Sequence, residues 1–286
     1  MSPASSAILA ELAEVLACPN CGLALAAADR ALRCGSGHGF DLARQGYVSL
    51  LTGTATRFTG DTADMLLARS DFHARGHFAP VAAAVATAAA PPGGNGVLLE
   101  IGAGNGYFLG AALDAAPETR GIALDIAKPA VRRAARAHPR AAAVLADVWR
   151  GLPLRPAVLD TVLTVFAPRN PAEVARVLAP EGRFVVATPT ERHLGELIGP
   201  LGLVRVDPGK ERKLAAALTA DFSALGTELV EYPMALTRDD AALLVHMGPS
   251  AFHAGEDTAA RLAALPDLLA VTASVRIGTY APRRAA

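Results

Sequence analysis

The stretch Val97-Leu98-Leu99-Glu100-Ile101-Gly102-Ala103-Gly104-Asn105-Gly106-Tyr107-Phe108 decides the fold. Residues 97–101 are apolar apart from Glu100 and read as a buried strand. A G-x-G-x-G turn follows, then an Ala- and Leu-rich helical pattern over 107–116. Glycine permits the sharp turn and lets a ligand approach the main chain with no Cβ in the way. The unpaired N–H groups that open the helix point into that same turn. The spacing alone is a weak motif; the strand before it and the helix after it carry the reading.

Downstream, strand and helix alternate, which predicts an α/β fold with a doubly wound, mostly parallel sheet. Strands are expected at 121–124, 143–145, 161–166 and 182–187. Helices are expected at 128–137, 171–178 and 210–222, with one more around His193. Strands at 227–234 and 269–280 close the chain, with helices at 238–246 and 259–265. In such sheets ligands lie beyond the carboxyl ends of the strands, where the strand order reverses. Gly102, Gly104 and Gly106 supply a backbone floor there. Asp125, about twenty residues past the glycines, suits two ribose hydroxyls. Asp147 is placed to accept from an adenine amine, and Phe166-Ala167-Pro168 to face the reacting group. A dinucleotide enzyme would instead show G-x-G-x-x-G. Glu100 before the turn and the Leu124-Asp125-Ile126 end of the second strand favour S-adenosylmethionine and methyl transfer. The competing reading of Asp125 is a cap on the next helix.

The chain has 286 residues, 52% of them hydrophobic and 19% charged, with zero formal net charge. It can bury a large core, and any nucleic-acid partner has to be held by local positive charge rather than by the whole molecule's field. The N-terminus lacks a basic and then apolar leader, and the Ala run near 81–90 is too short to span a bilayer. A cytoplasmic protein with no membrane partner is therefore expected.

The three cysteines all fall early, as Cys18-Pro19-Asn20-Cys21, Cys34 and then His38: C-x2-C-x12-C-x3-H. Three thiolates and an imidazole suit tetrahedral zinc with no open position, a structural site. A metal replaces the core that so short a module cannot build. The expected organisation is a zinc module over 1–60, a helical linker over 61–95 and a catalytic domain over 96–286. Ahead of the catalytic domain, a short amphipathic helix or a disordered lead-in is expected at 6–17, a compact strand or turn segment at 40–51, a Thr- and Gly-rich linker at 52–60, and helices at 61–75 and 81–90.

Several blocks then combine: the Cys3His module, F-D-L-A-R-Q-G-Y-V-S-L-L, M-x3-R…G-H-F-A-P, E-I-G-A-G-N-G-Y, F-A-P-R-N-P, A-T-P-x3-H-L and H-M-G-P-S. Together they resemble the RlmA/TlrB family of 23S ribosomal RNA guanine-N1 methyltransferases, and most closely its actinobacterial macrolide-resistance branch. The resemblance runs from Cys18 to Tyr280. It implies a class I methyltransferase fold, Rossmann-like with an antiparallel final strand, joined to a zinc-ribbon-like module. It implies zinc on Cys18, Cys21, Cys34 and His38, and cofactor contacts at Phe78, Gly104, Asn105 and His193. It also implies a homodimer acting on an RNA hairpin, hairpin 35. Phe78 stands where many relatives carry Tyr, which removes a hydroxyl and keeps a ring to stack.

Methylation of guanine N1 needs a base outside its stack and the loss of the N1 proton. His193 is the candidate base, Asn170 or the Pro168 carbonyl the candidate reader of the base edge, and Phe166 and Phe78 the candidate stacking partners. For RNA, the acid-free run Lys128, Arg132, Arg133, Arg136 and Arg140 is a lesser candidate than the zinc module with Arg30, Arg33, Arg44 and Arg57. Removing the first sixty residues is expected to abolish RNA methylation and spare cofactor affinity. The alternative is a small-molecule methyltransferase of a natural-product pathway, a substrate that would need no zinc module.

Overall fold

The apolar run before the glycine turn becomes a central strand of an eight-stranded sheet. The computed structural model describes residues 3–53, 60–248 and 256–283. The chain opens with α1 (Pro3–Glu11) and four short strands, β1 (Leu25–Ala28), β2 (Ala31–Cys34), β3 (Gly39–Asp41) and β4 (Tyr47–Ser49). Helices α2 (Ala63–Ala74) and α3 (Ala79–Ala89) lead into β5 (Asn95–Ile101), α4 (Tyr107–Ala115), β6 (Glu118–Asp125), α5 (Lys128–Ala134) and β7 (Ala141–Leu145). Next come β8 (Leu159–Val165), α6 (Pro171–Val177), β9 (Leu178–Pro189), α7 (Gly195–Leu201) and α8 (Lys210–Leu218). The chain closes with β10 (Phe222–Thr237), α9 (Arg238–Met247), α10 (Glu256–Ala263) and β11 (Leu268–Pro282).

The sheet order is β10-β11-β9-β8-β5-β6-β7-β4. Strands β4 to β9 pair in parallel, and β11 runs antiparallel between β9 and β10. The order reverses between β5 and β8, so a crevice opens beyond their carboxyl ends.

The N-terminal segment is not a separate bead. β4 adds to the sheet edge beside β7, and Leu50 N donates to Leu145 O at 2.9 Å. Leu16 bridges Leu154, and Ala17 N donates to Pro153 O at 2.9 Å. One apolar cluster contains Ile8, Leu9, Leu12, Leu16, Cys18 and Val48 together with Leu99, Ile122 and Val162 of the central strands. Removing residues 1–60 would strip an edge strand and more than a third of that cluster, so the expected sparing of cofactor affinity does not follow.

Several elements differ from expectation for local reasons. The first helix stops at Glu11, because a 3-10 turn over Ala13–Val15 hands Leu16 and Ala17 to backbone bridges. α5 ends at Ala134 with tight turns, since His138 precedes Pro139 and a residue before proline avoids the helical region. α8 ends at Leu218, and Phe222 already opens β10. Of the Thr- and Gly-rich linker, residues 54–59 lie outside the described residues, as do Arg57 and the Pro249-Ser250 end of H-M-G-P-S.

Candidate active site and metal centre

A cavity of about 1000 Å³ fills the crevice. Its floor is the glycine turn. Gly102, Gly104 and Gly106 all have positive φ, at 70°, 56° and 79°, which side chains rarely adopt. Space forbids a side chain as well. A Cβ on Gly102 would lie 2.5 Å from Ala167 Cβ, and one on Gly106 2.7 Å from Ala137 Cβ. The sequence G-A-G-N-G is thus dictated twice, by backbone and by packing.

Three acids line this floor: Glu100, Asp125 and Asp147. Glu100 accepts from Leu109 N at 3.0 Å and so caps the start of α4. Burial, seconded by repulsion from Asp125, pushes its carboxyl up to about 8. Asp125 accepts from Gly104 N at 2.9 Å and from Ala127 N at 2.8 Å, one bond to each oxygen. It therefore caps the next turn and ties it to the glycine floor. Each oxygen still has a lone pair for a hydroxyl, so the capping and ribose readings are compatible. Burial also raises this carboxyl. Asp147 accepts from Trp149 N at 3.0 Å, capping a short 3-10 turn.

Aromatic groups form the opposite wall. Phe78 is buried, with its ring centroid 5.1 Å from Phe72, 6.2 Å from Phe166 and 6.0 Å from His193. Phe166 is 40% exposed at the mouth and has φ 54°. Leu194, just past His193, has φ 55°. Strained backbone of this kind persists where a site fixes it. His193 Nδ1 accepts from Ser274 N at 3.1 Å. Burial, and the Lys210 charge after it, lower its imidazole to about 4. A neutral ring with Nδ1 accepting carries its proton on Nε2. His193 therefore offers a donor to the cavity, an arrangement that speaks against the role of proton acceptor expected from the sequence and for cofactor contact.

The cover comes from α2 and α9. Arg69 of α2 pairs with Asp61, and its Nη2 donates to Met247 O at 2.7 Å. Asn105 of the glycine turn is tied to α2 as well, by Ser70 Oγ at 3.3 Å and His73 Nδ1 at 3.2 Å. His73 is itself buried, stacks on Tyr107 at 4.1 Å, and is lowered to about 4 by burial, so it accepts this amide as a neutral ring. Asn170 is not on the cavity wall. It precedes α6, and its amide donates to Val148 O at 3.4 Å. The strand end that brings Pro168 to the cavity turns Asn170 towards the neighbouring loop.

At the other end of β4's edge, two tight turns bring Cys18, Cys21, Cys34 and His38 together, all ligand atoms within 4.8 Å of one another. Gly22 N and Gly37 N donate to Cys18 O and Cys34 O at 2.8 and 3.0 Å, closing the knuckles. Cys21 Sγ lies 3.6 Å from Cys34 Sγ, and His38 Nδ1 lies 3.4 Å from Cys34 Sγ and 3.6 Å from Cys18 Sγ. A tetrahedron with zinc–sulfur bonds of about 2.3 Å has edges of about 3.8 Å. The four atoms fit the ion, and no position is left open for chemistry.

Comparison with known proteins meets this geometry from both ends. The family described as RlmA, N-terminal, matches residues 16–54, and a methyltransferase domain matches residues 99–186. A 23S rRNA (guanine(748)-N(1))-methyltransferase of Streptomyces fradiae is 45% identical over 93% of this chain and 96% of its own. The chain belongs to the 23S rRNA (guanine-N1) methyltransferases. A Micromonospora griseorubida relative named for the same reaction is 49% identical over 93% of this chain and 97% of its own. The YxjB protein of Bacillus subtilis is 32% identical over 63% of this chain and 66% of its own.

As a methyltransferase of this family, the chain uses S-adenosylmethionine, and its ribbon is built for structural zinc. The cavity suits the cofactor: three acids for a cationic ligand, and a floor where a Cβ would intrude. Phe78, Gly102, Gly104, Asn105, Asp125, Asp147 and His193 all line it. The helix-borne basic run is not a free stripe. Arg140 donates to Ala116 O at 2.8 Å and also to the Leu113 and Thr119 carbonyls, closing the end of α4. Arg30, Arg33 and Arg44 are exposed on the ribbon side. Among the described residues, no helix is long and apolar enough to cross a membrane. Sequence reasoning missed the cover residues Asp61 and Arg69, and Trp149 and Lys210 on the wall. Arg69 carried a signal: it interrupts the otherwise apolar set Met65, Leu66, Ala68 and Phe72.

Proposed function

We propose that this methyltransferase transfers the cofactor's methyl group to N1 of a guanine in the hairpin 35 loop of 23S rRNA, and that the modification confers macrolide resistance. The observation that carries the reading is the exposed Phe166 at the mouth of an acid-floored, glycine-lined cavity. The cofactor would lie on Gly102 and Gly104, with Asp125 on the ribose, Asp147 near the adenine, and Phe78, Asn105 and His193 along the remaining wall. A guanine extruded from its loop would stack on Phe166, because a base inside a helix cannot reach the methyl group. The sulfonium is a strong electrophile, so the chain's task is orientation and exclusion of water. Bound there, the cofactor would supply an electrophilic methyl group to guanine N1, the N1 proton would pass to solvent water at the mouth, and the donor would be left as a neutral thioether. His193, as an Nε2–H donor, would orient a carbonyl or carboxylate rather than take that proton. Asn170, whose amide turns to Val148 O, is given no part in reading the base edge here. The ribbon arginines Arg30, Arg33 and Arg44 would hold the hairpin, in a homodimer working in the cytoplasm.

Primer extension on ribosomal RNA from cells with and without the protein tests this. A reverse-transcriptase stop at one hairpin 35 guanine, present only with the protein, is the expected result. An unchanged RNA in cells that express active protein would end the reading.

A further inference from the structure

Two cations stand at the cavity mouth, and among the described residues the nearby Asp207 carboxylate offsets only part of the Lys210 charge. Lys210 lines the cavity. Arg169 directly follows Pro168, which also lines it. Both side chains are half-buried, and among the described residues neither forms an ion pair or a hydrogen bond. Burial, and for Lys210 the nearby Arg169 charge after it, holds both below their ordinary pKa.

The neighbouring acids are already engaged. Asp207 accepts from Gly209 N at 2.7 Å and pairs with Lys213. Glu211 faces Arg276 at 3.4 Å. Tyr280, beside Arg169, is a phenol that burial keeps neutral. Arg205 on the same wall adds a third positive charge. Lys210 is also the first residue of α8, where the helix dipole disfavours a cation. Folding alone would not place these charges so. Half-buried, mutually repelling cations at a helix start cost stability, and such violations of local preference mark functional positions.

We propose that Arg169 and Lys210 together seat a backbone phosphate of the RNA strand beside the extruded guanosine. A phosphate suits them better than the base does, because Arg169 lies outside the cavity wall and their common anion belongs at the rim. Phosphate contacts fix register and position, leaving the base to be read inside. Arg169 supplies a planar fork and Lys210 a point charge, a usual division of labour on phosphate. The inference rests on the hairpin reading above.

The test measures methyl transfer to a transcript of the hairpin by the wild type and by Arg169→Gln, Lys210→Gln and the double variant. A second hairpin carries an uncharged methylphosphonate at the phosphates flanking the target guanosine. The double variant is expected to raise the KM for RNA roughly tenfold or more and to lower the salt dependence of binding by about one to two. Arg169→Gln alone, whose side chain lies off the cavity wall, should match the wild type in cofactor affinity, and Arg169→Lys should recover part of the loss in RNA binding. The methylphosphonate should weaken the wild type by a similar factor and the double variant no further. Unchanged KM and salt dependence would overturn the proposal. So would an equal loss of cofactor affinity in Arg169→Gln, or a methylphosphonate penalty of the same size in the wild type and the double variant. If the wild type leaves the hairpin guanine unmodified, the substrate reading falls and takes this seat with it. If the wild type modifies it and the variants do so equally well, only the seat falls.

Discussion

The zinc knuckle and the cofactor cavity are built in opposite ways. All four metal ligands lie between Cys18 and His38, each pair closed by its own tight turn. The cavity draws on residues from Gly60 to Gly248, and its cover joins Arg69 to Met247 across the chain. Yet both regions rest on the same apolar layer, because Leu9, Leu16, Cys18 and Val48 pack with Leu99 and Val162. A locally coded site can thus be energetically part of a globally coded one.

The largest expected effect tests that shared layer. A structural zinc site in a small module contributes about 10 kcal/mol or more of binding free energy to folding. Here that energy holds an edge of the sheet. Cys34→Ala is expected to lose the metal and to lower the melting of the entire chain in one transition, by roughly 10 °C or more. Calorimetry of the metal-free variant checks it. Two transitions, the upper one unmoved, would show that the knuckle melts alone and would break the comparison.

Next in size is the glycine floor. At Gly102 an added Cβ meets Ala167 Cβ at 2.5 Å and the backbone sits at φ 70°. Ala167 belongs to the loop that carries Phe166, so relief of the clash moves the mouth of the cavity. Gly102→Ala is expected to weaken cofactor binding by about 100-fold or more, at the 1.4 kcal/mol per decade that affinity follows. The zinc content should not change. Titration calorimetry and metal analysis on one preparation decide whether the two regions separate at this level.

How much of this was legible follows the same division. The knuckle could be read in full, since ligand chemistry and spacing sit in adjacent residues. The strand ends Asp125, Asp147 and Phe166 were legible because a parallel sheet brings its carboxyl ends together whatever the loops do. The cover was not. The Asp61–Arg69 pair and the Met247 carbonyl meet only after α2 and α9 pack, and no local period encodes that. The place of β4 was equally hidden, because a three-residue strand has no periodicity of its own. Asn170 misled for a related reason: it stands beside the strand end in sequence but turns to Val148 in space.

A smaller effect concerns protons under the cofactor. Glu100 titrates near 8 in the folded protein and near 4.5 when exposed. A carboxyl raised in this way stabilises the fold at low pH, and that contribution is lost as pH climbs from about 4.5 through 8. A cationic cofactor favours the ionised form, so it should bind more tightly as pH rises towards 8 and then level off. Binding at pH 7 should release a fraction of a proton, read from calorimetry in buffers of different ionisation heat. Glu100→Gln should remove the release and flatten the pH dependence, with an affinity loss of about tenfold. A proton release that persists in Glu100→Gln would move the effect to Asp125.

The smallest expected effect separates two roles for His193. Its Nδ1 is occupied by the Ser274 N–H, and it stays neutral down to about pH 4. A general base would need a free lone pair on Nε2, which carries the proton instead. A glutamine amide can replace an Nε2–H donor but cannot serve as a base. His193→Gln is therefore expected to keep turnover within a few-fold of wild type, whereas His193→Ala should lose about tenfold in cofactor affinity. For the wild type, kcat should show no inflection between pH 5.5 and 7 from this group. A His193→Gln enzyme slowed by several decades, with an inflection near 6 removed from the profile, would restore the base and undo the tautomer drawn from Ser274.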